Sequence, residues 1–197
     1  MRLYHGTTTS NAQKILKAGK FHSDLHGIES ILYEGQRKKF KIPGSLGYGI
    51  YTFVDNPSMA LRFINKFDMD NQVLQVNVDI ENPDNILDFT NPNHQEQFRR
   101  FSQNLQNVQK ANDIFNAIPG KSNGKIDLFA GIMTELFIVY LRKNGIYIRF
   151  VKKQTETFLP PFKNSYQRLG IPNGTEFTIR YPEDIKSIKQ YSFKEES

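Results

Sequence analysis

Apolar and polar positions along the chain switch between a period of two and a period of three to four, and the switches predict the elements. The opening RLYHG, residues 2–6, predicts a short strand. Ser10 and Gln13 then form an S-x-x-Q capping pair for a helix that carries Ala12, Ile15 and Leu16 on one face and ends at Gly19. Residues 20–47 hold no sustained period apart from a helical turn around IESILYEG, and they form a long excursion of the kind that is often functional in a compact domain. GIYTF predicts a second strand. In the DNPSMALRFINKF that follows, Asp55 or Asn56 caps a helix, Pro57 suits its first turn, and Ala60, Phe63, Ile64 and Phe67 share a face. QVLQVNVDI alternates at Val76, Val78 and Ile80, which predicts a half-buried strand.

After ENPDNILDF the spacing of Phe98, Phe101, Leu105 and Val108 predicts one polar helix with a narrow apolar side, separated by the break IPGKSNG from a long apolar helix over 126–143. Asn144 and Gly145 stop that helix. A strand IYIRFV, a Pro-rich and polar excursion over 154–174, and the strands TEFTIRY and IKSIKQY complete the chain. In the first of these last two strands, Phe177, Ile179 and Tyr181 share one face, leaving Glu176 with Thr178 and Arg180 on the other, so that Glu176 need not be buried in the core. The order is that of an α+β protein, with no internal repeat, and its 197 residues suit a single domain over 1–197.

Composition sharpens this in three places. The apolar content of 38% includes 16 Phe and 9 Tyr with no Trp, so an aromatic-rich globular core is expected. Cysteine is absent, which removes disulfides, thiolate nucleophiles and cysteine-ligated zinc together and fits a reducing compartment. MRLYHG lacks the apolar core of a signal peptide, so a cytoplasmic location, in the producer or in a target cell, is expected. The most apolar run, 126–141, contains Asp127 and Glu135 and falls short of the ~20 apolar residues of a membrane span, so it reads as a buried helix and no membrane association is expected. The net charge of +6, with RKKFK at 37–41 as the densest run, suits nucleic acid, an acidic protein or a phosphate-bearing cofactor, and equally a solvated loop.

Candidate chemistry gathers in three places. GSLGYGIYTF, residues 44–53, sets three glycines before a strand, where backbone can turn sharply or approach a ligand closely. His5 and Gly6 end the first strand, Tyr51 stands in the glycine-flanked one, and Glu176 follows a long loop. Singly, these are an ordinary surface histidine, a packed tyrosine and a solvated glutamate. In order, YHGT, GYGIYTFVDNPSMALRFI and GTEFTIRYPEDI resemble the three-part signature of the His-Tyr-Glu class of ADP-ribosyltransferases, which includes diphtheria toxin and the poly(ADP-ribose) polymerases.

That resemblance covers nearly the whole chain and implies an ADP-ribosyltransferase-like split mixed β-sheet core with flanking helices. It implies NAD as substrate, cleaved at the bond between nicotinamide and ribose with oxocarbenium character. By resemblance, Gly6 holds the nicotinamide carboxamide through its backbone, and His5, helped by Thr7, bonds a ribose hydroxyl. Tyr51 stacks on the nicotinamide ring, and Glu176 bonds the ribose 2′-hydroxyl and stabilises the developing positive charge. Gly47 and Gly49 let the strand edge lie against NAD, with Tyr48 the alternative lid should the register shift. Met59 stands where many relatives have a serine, leaving Ser58 one step back, and Arg62 or Phe63 stands near the place of a second stacking tyrosine, from which Arg62 can meet a phosphate. Gly174, two residues before Glu176, disfavours arginine modification.

The implied function is mono-ADP-ribosyl transfer to a macromolecule, nucleic acid or protein, by a bacterial or phage toxin or effector held in check by an antitoxin. Phe158, Phe162 and Tyr166, with Lys163 and Arg168, stand where relatives recognise their target, or pack on one another. Two other classes compete. One is a non-catalytic module of the same fold that binds NAD, ADP-ribose or RNA; the other is a GIY-YIG nuclease, for which neither GIY is followed by a YIG at suitable spacing. An RNA 2′-phosphotransferase would need a more basic His and Arg set. His22 and His26 lack a matching third ligand, so no metal site is expected.

Overall fold

Burial on both faces begins with the first residues: in the strand Arg2–Thr8 (β1), Leu3 is inaccessible and Tyr4 and Thr7 are nearly so. The computed structural model describes residues 1–21, 28, 42–65, 70–118, 125–156 and 171–193. The predicted turn in IESILYEG apart from Ile28, the RKKFK run, His22, His26, Phe67, the 119–124 break and the aromatic and basic residues of 158–168 lie outside the described residues. The chain divides into two compact units, one built from Met1–Ser23, Ile50–Glu81 and Lys153–Ser197, the other from Asp24–Gly49 and Asn82–Lys152.

In the first unit, β1 runs up to Thr8, whose extended backbone lets its hydroxyl accept the Asn11 N–H at 3.3 Å and start the helix Thr9–Ala18 (α1). The cap is therefore Thr8 and not Ser10, because the strand leaves the sheet two residues earlier than the capping-box pattern implies. Gly19, at φ 65°, closes α1. The predicted strand around Tyr51 is Ile50–Val54 (β2), and Asn56 is the residue that caps the helix Pro57–Asn65 (α2), its Oδ1 accepting the Met59 N–H at 2.9 Å. Asn71–Val78 is β3, with Val73, Leu74, Val76 and Val78 buried.

The strands Gly174–Ile179 (here β6) and Ile185–Tyr191 (β7) complete the unit. Its strands follow the order β6-β2-β1-β3-β7, and every adjacent pair is antiparallel. The apolar face of α2 lies on Tyr4, Phe53 and Val73, burying Met59 and Ala60. Both faces of the chain are covered at the end of β6, where Thr178 and Arg180 are buried along with Phe177 and Ile179, while Glu176 is half-buried.

The second unit pairs Ile86–Asp88 (β4) in parallel with Phe150–Thr155 (β5) through Ile86↔Phe150, Leu87↔Val151 and Asp88↔Lys152. Its helices are Pro92–Gln103 (α3), Leu105–Ala117 (α4) and Lys125–Lys143 (α5). The single polar helix expected from Phe98 to Val108 is thus two. Asn104 is extended at φ −71°, ψ 122°, and its Oδ1 accepts the N–H groups of Gln106 and Asn107, a local bond that competes with continued helix. Leu105, expected on the apolar side, is consequently 83% exposed at the first turn of α4.

The core of this unit joins Ala111 and Ile114 to Leu128, Ile132 and Leu136, with Ile28 and Tyr48. After α5 the N–H of Gly145 reaches Arg142 O and that of Ile146 reaches Leu141 O, both at 3.0 Å, which is a Schellman closure. That closure and the coil after it occupy Ile146–Arg149, so β5 begins at Phe150 rather than at Ile146 as the alternation suggests. The second GIY of the sequence therefore lies at a helix cap.

Lys152 Nζ meets Asp88 Oδ2 at 2.9 Å across the paired strands. Burial opposes the Asp88 charge, but hydrogen bonds from Thr90 and Lys152 and the lysine charge outweigh it and lower its pKa. A depressed folded pKa contributes stability above the ordinary carboxylate range and loses it as pH falls through the folded value. Asp88→Asn is expected to melt about 2–4 °C lower at pH 7, with the gap closing below about pH 4. A gap that does not narrow as pH falls below about 4 in thermal melts would exclude this account.

The architecture is α+β, with five α-helices and seven strands among the described residues. Among these residues no helix is long and apolar enough to cross a membrane.

Candidate functional site

Between β1 and β2 the ladder stops short. β1 pairs with β3 through seven positions, from Arg2↔Asn77 to Thr8↔Asn71, but with β2 only through Leu3↔Val54 and Tyr4↔Phe53 among the described residues. Extended by two residues, that register would set Gly6 against Tyr51. The two strands have parted there, and the His5 ring takes up the backbone group that is released: His5 Nδ1 lies 2.7 Å from the Tyr51 carbonyl oxygen. A carbonyl only accepts, so Nδ1 carries the proton in this bond. Phe21 meets the imidazole edge-on, with ring centroids 5.1 Å apart.

Which way the backbone of β1 faces follows from its two ends. Arg2 O accepts from Asp55 N, on the β2 side, and Thr9 N donates to Asp70 O, on the β3 side. Main-chain groups alternate along a strand, so Gly6, in phase with Arg2, aims both its N–H and its C=O at the opening. Gly6 also has a packing reason to be glycine. A Cβ there would run into the backbone carbonyl of Ala60 in α2. The bare backbone thus serves two contacts, helix on one face and opening at the edge.

The pleat decides which side chains share a face. Tyr4↔Phe53, Tyr51↔Thr178 and Phe53↔Glu176 place Tyr51 and Glu176 together on the face covered by α2. His5 pairs with Leu74 and belongs with Thr7 to the opposite face. The structure therefore brings His5 to the Tyr51 backbone and Tyr51 to the side of Glu176. It sets the His5 ring and the Glu176 carboxylate on opposite faces, on either side of the opening. A ligand touching all three would lie in the gap itself.

The remaining predicted residues divide. Thr7 is buried beside His5, 7% exposed, and Tyr51 is half-buried. Ser58 and Arg62, four apart on α2, are both exposed, while Met59 and Ala60 turn to the sheet, so the helix presents no serine hydroxyl to the strands. Gly174 packs beside Phe53 and Met59, one step along the α2 face from Glu176.

The glycine-rich stretch makes the sharp turn that its glycines allow. Gly47, at φ 83°, donates its N–H to Gly44 O at 2.9 Å, and the space its Cβ would need is filled by the Glu135 carboxylate of α5. Glu135, 2% exposed, accepts the Tyr48 N–H at 2.7 Å. Tyr48 is core rather than a lid, 3% exposed against Ile28 and Ile132, and burial with Glu135 nearby pushes its hydroxyl pKa well up. Gly49 is the last residue of this turn, directly before β2.

Glu135 and Phe21 were not legible as partners in sequence. The one available signal was a carboxylate in the middle of the apolar FAGIMTELFIVY, a pattern that requires a buried partner. No protein-family model matches this chain, and neither a curated protein nor a solved structure is significantly similar to it.

Proposed function

We propose that the chain is an NAD-dependent mono-ADP-ribosyltransferase that moves ADP-ribose to a macromolecular acceptor and releases nicotinamide, on a split-sheet core of the ADP-ribosyltransferase kind. The observation that carries this reading is the parting of β1 from β2 at Tyr4↔Phe53, which turns the N–H and C=O of Gly6 into the gap beside Tyr51. A primary carboxamide is the complement of that pair. Its NH2 donates to the Gly6 carbonyl and its oxygen accepts from the Gly6 N–H, as a neighbouring strand would.

With the carboxamide held, Tyr51 lies against the nicotinamide ring, and such stacking contributes about 1 kcal/mol beyond area burial. Glu176 accepts a hydrogen bond from the 2′-hydroxyl of the nicotinamide ribose, and its charge opposes the positive charge that grows as the ribose C1′–N bond breaks. Nicotinamide departs with the bonding electrons and becomes neutral. The acceptor nucleophile takes its place on C1′ and gives up its proton. His5, its Nδ1 proton committed to the Tyr51 carbonyl, is oriented to meet a ribose hydroxyl through the other side of the ring.

The acceptor is nucleic acid or protein, and an enzyme of this kind in a basic chain fits a bacterial or phage toxin or effector neutralised by an antitoxin. The test is incubation of purified protein with labelled NAD and total cell extract, followed by separation of protein from RNA and DNA. Label in one fraction, lost in Tyr51→Ala, is the expected result. If the acceptor is nucleic acid, labelling falls steeply between 50 and 200 mM salt, by about a thousandfold if six phosphates are contacted. Release of no nicotinamide with any extract would overturn the reading.

A further inference from the structure

The second unit carries a cavity of ≈ 500 Å³, within the usual size of small-ligand sites, where the end of α3, the start of α4 and the end of α5 meet. Phe101, Phe137 and Tyr140 give it an aromatic wall, Phe137 and Tyr140 lying near-parallel at 16° and Tyr140 remaining 50% exposed. Around them stand three asparagine carboxamides whose orientation is fixed by the protein. Asn107 Nδ2 donates to Phe101 O at 2.9 Å, and Asn144 Nδ2 donates to Tyr140 O at 2.8 Å. Among the described residues nothing donates to the Oδ1 of either. Asn104 is fixed the other way, its Oδ1 taken by Gln106 N and Asn107 N, which leaves an Nδ2 donor.

Arg100, at the rim, bonds Glu96 through Nε at 2.7 Å, and its Nη groups bond nothing among the described residues. Arg99 on α3, and Arg142 and Lys143 in the last turn of α5, add positive charge, while Glu96 is the one carboxylate of α3. An aromatic platform, two oriented acceptors beside a donor, and a cation at the edge complement a flat, phosphate-bearing heterocycle that offers N–H donors and a ring acceptor.

We infer that this cavity binds an amino-bearing nucleobase, with Tyr140 stacking on the base, Asn107 and Asn144 accepting from its exocyclic amine, Asn104 donating to a ring nitrogen, and Arg100 meeting the phosphate. The site belongs to the helical unit and is independent of the transferase reading. The same chemistry is offered by a free nucleotide and by a base in a single strand.

Binding of the full chain to fluorescein-labelled ten-nucleotide adenosine, inosine and uridine strands at low salt tests this, with AMP and IMP as competitors. Inosine differs from adenosine by a keto group in place of the amine. The adenosine strand is expected to bind about tenfold more tightly than the inosine or uridine strand, and Tyr140→Leu to weaken it about tenfold. Asn107→Leu should remove the preference for adenosine over inosine while Arg100→Gln lowers affinity for both, each with the circular dichroism of the parent. Displacement by AMP assigns the site to free nucleotides; resistance to AMP with retained strand binding assigns it to single-stranded nucleic acid. Equal affinity for all three strands, no effect of Tyr140→Leu, or no binding of strand or AMP would overturn the inference.

Discussion

Glu176→Gln is expected to slow nicotinamide release from NAD by about 100- to 1000-fold, the cost of losing one well-placed electrostatic partner of a charged transition state. Glutamine keeps the size of the side chain and its ability to accept a hydrogen bond, so what is lost is the negative charge. The substitution is gentle on the fold. Glu176 is half-buried opposite Phe53 on β2, and an isostere there leaves no cavity and adds no bulk. Nicotinamide release measured beside a thermal melt separates the two effects. Full turnover in a folded Gly6-, Tyr51- and His5-intact Glu176→Gln variant would remove Glu176 from the chemistry.

Gly6→Ala is the second large effect, and it acts on packing and on NAD together. The added Cβ meets a main-chain oxygen, that of Ala60, which cannot rotate away as a side chain would. Either α2 lifts from the sheet or β1 shifts toward the opening. Overpacking of this kind costs about 1–3 kcal/mol, which corresponds to a melting temperature lower by roughly 2–12 °C. Ala60→Gly should not rescue it, because the obstructing atom belongs to the backbone. A double variant as stable as the parent would show that the clash is with the Ala60 methyl. Titration of the surviving folded protein with nicotinamide should also show weaker binding, since a displaced β1 misdirects the Gly6 N–H and C=O.

Much of the first unit could be read from the chain because its signals are local. The alternation of Val76 and Val78, the αL glycine after α1 and the proline at the start of α2 each act through nearest neighbours. The errors arose where two local signals compete. Phe98, Phe101, Leu105 and Val108 keep helical spacing across Asn104, and only the cap formed by that side chain interrupts it. Ser10 and Gln13 satisfy a capping pattern that Thr8 pre-empts.

The candidate site was legible in its residues but not in its arrangement. Nothing in the order of His5, Tyr51 and Glu176 says that the first lies on the opposite face of the sheet from the other two. That depends on the register Tyr4↔Phe53 and Phe53↔Glu176, set by residues far apart in sequence. The packing of the GSLGYG turn is hidden for the same reason. Gly47 fits Glu135, 88 positions further on, a partner that no local pattern names.

The division of the chain into interleaved segments also sets a timetable for its synthesis. The helical unit has all of its residues once Lys152 has been added, whereas the unit holding His5 and Tyr51 receives Glu176 and its outer strand from the segment that follows. At about 5–20 residues per second, the ribosome needs a few more seconds to reach that strand. During that interval the nascent chain can hold a finished helical unit and three of the five strands of the other unit, with Glu176 still to be made.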